Sequence, residues 1–110
     1  MKPWHGVLTA TATPFTSNGA ADLAVDFDRY REHVAWLAAN GTQGVVVNGS
    51  LGEYQVLTEE ERGEMVKAAI DAAPAGFNVV SGVGAYGATE ARRWAEHADI
   101  DFHSARLEFV

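Results

Sequence analysis

The stretch that decides the fold is residues 44–53, which read Gly-Val-Val-Val-Asn-Gly-Ser-Leu-Gly-Glu. Its first half is a short apolar run rich in β-branched valine, and this composition predicts a buried strand that ends near Asn48. Ser50 and Leu51 follow between two glycines, so a turn is expected at the carboxyl end of the strand, where α/β folds bind ligands. An ordinary glycine-rich connection between a strand and a helix has the same spacing, so the pattern alone leaves both interpretations open.

The composition is that of one soluble globular domain at most. The chain has 110 residues, of which 47% are hydrophobic and 21% are charged, and neither value fits a disordered chain. Acidic residues outnumber lysine and arginine by 15 to 8, giving a net charge of −7, which argues against a nucleic acid or an anionic membrane as partner. There is no cysteine, so disulfides and thiolate metal sites are excluded, and a reducing cytoplasm is the expected location.

Strands and helices alternate along most of the chain. Such alternation predicts an α/β fold in which parallel strands are joined by right-handed crossovers. Three consecutive βα units are expected, although three strands cannot close a barrel. The predicted elements are a strand from Gly6 that stops before Pro14, a helix capped by Asp26 and ended by Gly41, the valine strand, a helix with a capping box at Thr58 and Glu61, a strand at 77–81, and a helix from about Thr89.

The last segment, residues 99–110, departs from this alternation. A fourth buried strand should be continuously apolar, yet acidic residues interrupt Ile100 and Phe102. We therefore predict an irregular tail.

Residues 82–87 spell G-x-G-x-x-G after a strand and before a helix, which is the fingerprint of a dinucleotide site. Asp99 and Asp101 lie at about the right distance downstream for a ribose-binding acid. However, the predicted helix begins near Thr89, too far along the chain for its first turn to receive a pyrophosphate. A dinucleotide-binding module is therefore only the weaker alternative.

Metal and nucleophile chemistry have little support. The four histidines show no pair at helical ligand spacing, so no metal site is predicted. Ser50 lacks the G-x-S-x-G context and a general base in register, which makes a binding or proton-relaying hydroxyl the better interpretation of this residue.

Four blocks in order resemble the N-terminal part of the dihydrodipicolinate synthase and N-acetylneuraminate lyase family. The likeness covers residues 4–98 and is carried by Gly6 through Thr-Pro-Phe15, by Gly41-Thr-Gln-Gly-Val-Val-Val-Asn-Gly-Ser-Leu-Gly-Glu53, by Leu57-Thr-x-x-Glu-Glu-Arg, and by Gly82-Val-Gly-Ala with Thr89-Glu-Ala.

The resemblance implies part of a (β/α)₈ TIM barrel from an enzyme that is usually tetrameric. Such enzymes form a lysine Schiff base with pyruvate or another 2-keto acid, need no cofactor, and make or break a carbon–carbon bond. Gly49, Ser50 and Leu51 match the family's carboxylate-binding turn, and Ser50 matches a hydroxyl that relays protons. Leu51 stands where the family often has threonine, which removes one hydroxyl contact and leaves the substrate open.

The Schiff-base lysine and the relay tyrosine of the family belong to later strands. The lysines of this chain are Lys2 and Lys67, and neither occupies the catalytic position of the family. We therefore expect residues 1–98 to be the front of an aldolase domain that is inactive alone, and residues 99–110 to be a non-family tail produced by truncation or a frameshift. The alternative is a non-catalytic βα fragment that associates with itself or with a complementary half through its open sheet edges.

Overall fold

The structure, a computed structural model, describes residues 6–16, 24–85, 87–101 and 107–109, with the backbone alone described at 98–101 and 107–109. Strands and helices alternate throughout, with two short 3₁₀ turns after the second strand. The elements are β1 (Leu8–Ala10), α1 (Phe27–Ala39), β2 (Gly44–Val47), 3₁₀ turns at Ser50–Gly52 and Tyr54–Val56, α2 (Glu59–Ala72), β3 (Asn78–Ser81), α3 (Ala88–Asp101) and β4 (Leu107–Phe109).

The four strands form one parallel sheet in the order β1-β2-β3-β4. Val45 at the centre of the sheet pairs with Thr9 of β1 and with Val79 of β3. Each strand lies beside the next one along the chain, which is the arrangement of successive units in a (β/α)₈ barrel. The predicted α/β class and partial barrel are confirmed.

The prediction of an irregular tail is wrong for residues 99–101 and 107–109, the part of the tail that the structure describes. Helix α3 continues to Asp101, and Leu107–Phe109 pairs in parallel with β3. The error came from requiring a continuously apolar strand, whereas β4 is a three-residue strand whose one described neighbour is β3. Edge strands often carry charged residues, and among the described residues β4 pairs on one side only, so Glu108 does not argue against a strand here.

The predicted helix caps are confirmed. The Asp26 carboxylate accepts the Arg29 N–H at 3.0 Å at the start of α1, and Gly41 follows the helix with a left-handed φ of 96°. At the start of α2, the Thr58 hydroxyl accepts the Glu61 N–H at 3.1 Å, and the Glu61 carboxylate accepts the Thr58 N–H at 2.9 Å. This capping box fixes the start of α2, and it therefore also sets the length of the connection between β2 and α2.

The hydrophobic core lies between the sheet and the helices α1 and α2. Val45 and Val47 of β2 are fully buried in it, whereas Val46, on the opposite face of the strand, is only partly buried. The helices contribute chiefly Tyr30, Val34, Met65, Val66, Ala68 and Ala69. Within the described ranges, no helix combines the length and the apolar character needed to span a bilayer.

Candidate functional site at the carboxyl ends of the strands

The turn after β2 has a fixed shape that two left-handed residues define. Asn48 has φ 61° and Glu53 has φ 56°, and the 3₁₀ turn Ser50–Gly52 lies between them. The Gly52 N–H donates to the Gly49 carbonyl at 3.0 Å, and the Glu53 N–H donates to the Ser50 carbonyl at 3.1 Å. Left-handed backbone at non-glycine residues is uncommon and concentrates at functional sites.

The turn forms one wall of a cleft of about 420 Å³ at the carboxyl ends of β1, β2 and β3. The structure places the three predicted site residues, Gly49, Ser50 and Leu51, together in this wall. Ser50 is exposed, and the Leu51 side chain is 65% exposed. The remaining lining comes from the ends of β1 and β2, from Tyr54, and from the exit loop of β3.

Two threonines that follow β1 hold the neighbouring backbone in place. The buried Thr13 hydroxyl donates to the Gly52 carbonyl at 2.7 Å, which fixes the far end of the turn. The Thr11 hydroxyl donates to the Val46 carbonyl at 3.0 Å and lies 2.7 Å from the Tyr30 hydroxyl. Sequence reasoning assigned no role to either threonine, because their contacts with Tyr30, Val46 and Gly52 span 19, 35 and 39 residues of chain.

Arg62, on the first turn of α2, is only 4% exposed although it carries a charge. Its guanidinium donates from Nη2 to the Gly82 carbonyl at 3.0 Å and lies 4.9 Å from the centroid of the Tyr54 ring and 4.6 Å from that of Trp94. Its own carbonyl accepts the Asn48 side-chain amide at 2.9 Å. Burial lowers the pKa of Arg62, and the nearby Glu90 carboxylate opposes that shift.

Sequence analysis did not single out Arg62, although a signal was present. The residue precedes Met65 and Val66 by three and four positions and therefore falls on the buried stripe of α2. A cation on such a stripe indicates a specific polar partner.

The glycines of the β3 exit loop make close packing contacts. A Cβ at Gly82 would overlap the Asn48 carbonyl oxygen and lie 3.2 Å from the Gly49 nitrogen, and a Cβ at Gly84 would lie 2.9 Å from the Tyr54 hydroxyl. Helix α3 begins at Ala88, one residue before the predicted start. Tyr86 of the G-x-G-x-x-G motif lies outside the described residues, and the dinucleotide alternative stays a hypothesis.

Lys67, the one lysine among the described residues, does not line the cleft. Lys67 is exposed on α2 and lines a groove between α2 and α3, and Lys2 lies outside the described residues. Among the residues that the structure describes, no three histidine or acidic side chains are grouped so that they could hold a metal ion.

A model of the dihydrodipicolinate synthetase family matches residues 3–102. The chain is 39% identical over 95 residues to 4-hydroxy-tetrahydrodipicolinate synthase of Methylobacterium radiotolerans, covering 86% of this chain and 30% of that protein. It is 37% identical over 81 residues to the enzyme of the same name from Staphylococcus saprophyticus, covering 74% of this chain and 26% of that protein.

The fold agrees with this match. The structure superimposes on the crystal structure of DHDPS from Cyanidioschyzon merolae, which was solved with lysine bound, with a TM-score of 0.81 and 28% identity over 91% of this chain and 33% of that one. The chain thus spans between about a quarter and a third of the length of these proteins. Because the family model matches nearly all residues of this chain, the chain belongs to the dihydrodipicolinate synthetase family.

Proposed function

We propose that this chain supplies the carboxylate-binding part of a Schiff-base aldolase site that acts on pyruvate or a related 2-keto acid. The observation that carries the proposal is the position of the turn Ser50–Gly52, which lines a cleft at the carboxyl ends of three parallel strands. In barrels of this kind the catalytic residues come from these strand ends and their loops.

The turn offers groups that suit a small carboxylate. The Ser50 hydroxyl is exposed and, within the described part of the chain, makes no hydrogen bond, so it is available to donate. The first N–H groups of a helical turn have no acceptor inside it, and such groups favour anions. Leu51 offers a backbone N–H but no side-chain donor, so the carboxylate has one hydroxyl fewer than in relatives with threonine at this position.

The carbon–carbon chemistry requires a neutral amine beside the bound carbonyl. Lys67 does not meet this requirement, because it is exposed on α2 and does not line the cleft. We therefore propose that the 110 residues bind the keto acid reversibly and form no Schiff base by themselves.

Pyruvate titration followed by amide NMR tests the proposal. We expect resonances of Gly49, Ser50 and Leu51 to shift, and we expect Ser50→Ala to weaken pyruvate binding about tenfold or more, since a hydrogen bond to a charged group contributes about 1.5 to 3 kcal/mol. Thr89→Ala is the matched control, because it removes an exposed hydroxyl outside the cleft and should leave the affinity unchanged.

Borohydride reduction in the same samples should leave the chain unlabelled by pyruvate. Pyruvate-induced shifts confined to residues outside the cleft would contradict the proposed site. Covalent trapping of pyruvate by the purified chain would contradict the proposed absence of a Schiff base.

A second candidate function, assembly with another copy of the chain or a complementary half, is favoured by the open sheet. Among the described residues, β1 pairs with β2 alone and β4 with β3 alone, and unpaired edges promote association. Val7 beside β1 is 62% exposed. We expect sedimentation velocity to show the weight-average mass rising with concentration, whereas a monomer at all concentrations would contradict this candidate.

A further inference from the structure

The two residues that bracket the turn are both tied to Arg62. Asn48, which precedes Gly49, donates its side-chain amide to the Arg62 carbonyl at 2.9 Å. Tyr54, which follows Glu53, places its ring 4.9 Å from the Arg62 guanidinium carbon. The segment between them is thus anchored at both ends to one residue of α2.

The third contact of Arg62 connects this anchor to the next strand. Its Nη2 donates to the Gly82 carbonyl at 3.0 Å, and the Gly82 N–H donates in turn to the Val47 carbonyl at 2.8 Å. The exit loops of β2 and β3, which form two walls of the cleft, are therefore joined through one side chain.

The charge of Arg62 calls for an explanation beyond packing. The ion pairs found among the described residues join Asp28 to Arg31 and Glu59 to Arg93, and neither includes Arg62. An apolar side chain of similar volume fills such a position at lower desolvation cost. The cation gains instead from a directed hydrogen bond and from two aromatic faces.

We propose that Arg62 is a positioning residue that holds the turn Ser50–Gly52 in the conformation that receives the keto-acid carboxylate. The proposal rests on the proposed function for its ligand, but the turn's rigidity is measurable without any ligand. Arg62 does not line the cleft, so it acts on the ligand through the residues that it contacts.

Amide hydrogen exchange, followed by pyruvate titration, tests this role in the full 110-residue chain. The variants are Arg62→Met, which keeps the length but removes the donors, Arg62→Lys, which keeps the charge and one donor, and Lys67→Met as an exposed control on the same helix. The probes are the Gly52 and Glu53 amides in the turn and the Val79 amide in β3.

In Arg62→Met we expect Gly52 and Glu53 to exchange at least tenfold faster relative to Val79, with pyruvate affinity reduced about tenfold. Arg62→Lys should recover part of the slow exchange at the turn and part of the pyruvate affinity. Lys67→Met should change neither the exchange rates nor the affinity. A rise in exchange that is equal at the turn and at Val79 would show a general structural role and overturn the proposal. If Arg62→Met does not fold, the exchange rates of Gly52 and Glu53 relative to Val79 in Arg62→Lys decide whether Arg62 holds the turn.

The two proposals fail separately. Unchanged turn exchange in the arginine variants would overturn the positioning role whether or not pyruvate binds. A wild-type chain that shows no pyruvate response would overturn the proposed function, while the exchange data would still decide whether Arg62 holds the turn.

Discussion

Replacing Gly82 with alanine is expected to lower the free energy of unfolding by about 3 kcal/mol, at the upper end of the usual cost of overpacking. The added Cβ would overlap the Asn48 carbonyl oxygen and approach the Gly49 nitrogen to 3.2 Å. Both atoms belong to backbone, which cannot turn away as a flexible side chain can. Relief therefore requires the exit loops of β2 and β3 to separate.

This separation should also change the cleft, because the displaced carbonyl belongs to Asn48, which lies two residues before the turn Ser50–Gly52 and lines the cleft. The Gly82 N–H bond to Val47 and the Arg62 bond to Gly82 both cross the same gap. We therefore expect pyruvate affinity to fall together with stability, unlike in Ser50→Ala, which should change affinity alone.

Gly63→Ala is the matched control for Gly82→Ala. Gly63 lies inside α2, where an added Cβ would lie 3.5 Å from the His97 ring, an ordinary contact distance. The same substitution should stabilise the chain by about 1 kcal/mol there, because alanine favours a helix over glycine. Urea unfolding followed by circular dichroism measures both variants, and similar losses of stability in the two would contradict the steric argument.

Much of the fold could be predicted because its signals are local. The valine run of β2, the Asp26 cap and the capping box at Thr58 each lie within a few residues of the element that they specify, and the structure confirms them. Strand β4 was missed because its evidence is not local. Its pairing with β3 depends on main-chain hydrogen bonds across the sheet, which no composition of three residues reveals.

The candidate site likewise combines residues with local sequence signals and residues whose contacts are distant along the chain. Gly49, Ser50 and Leu51 could be proposed in advance as site residues because they follow a strand directly and resemble a family motif, and the structure places all three in the lining of one cleft. The position of Arg62 on the buried stripe of α2 can be inferred from the sequence. The hydrogen bonds of Thr13 and Arg62 could not be predicted, since their partners are backbone carbonyls 39 and 20 positions away. Every residue has a backbone carbonyl, so the sequence does not indicate which carbonyl accepts the hydrogen bond, and only the structure shows it.

Above pH 10 the chain should lose stability through Tyr30. This side chain is fully buried, and burial raises its pKa from 10.0 to about 12, with the Thr11 hydrogen bond opposing the shift. Since the Thr11 hydroxyl already donates to Val46, the phenol is the donor in its bond to Thr11. In the unfolded chain the phenol ionises near pH 10, so the folded state retains a proton that the unfolded state has lost.

The stability that Tyr30 contributes is thus complete below pH 10 and is lost as the pH rises towards 12. The expected loss is roughly 1.4 kcal/mol by pH 11, and about twice that once the folded pKa is passed, because one pKa unit corresponds to about 1.36 kcal/mol.

Urea unfolding of the wild type and Tyr30→Phe at pH 8 and pH 11 isolates this contribution. Phenylalanine fills the same space and leaves the Thr11 bond to Val46 intact, so the variant should be less stable at pH 8 by about 1 kcal/mol, the net worth of one hydrogen bond. It should also lose less stability than the wild type on going to pH 11. Other groups that titrate in this range are common to both proteins and cancel in the difference. An equal loss of stability in the two proteins would mean that Tyr30 ionises as readily in the folded chain as in the unfolded chain. That result would be incompatible with a buried phenol that donates a hydrogen bond to Thr11.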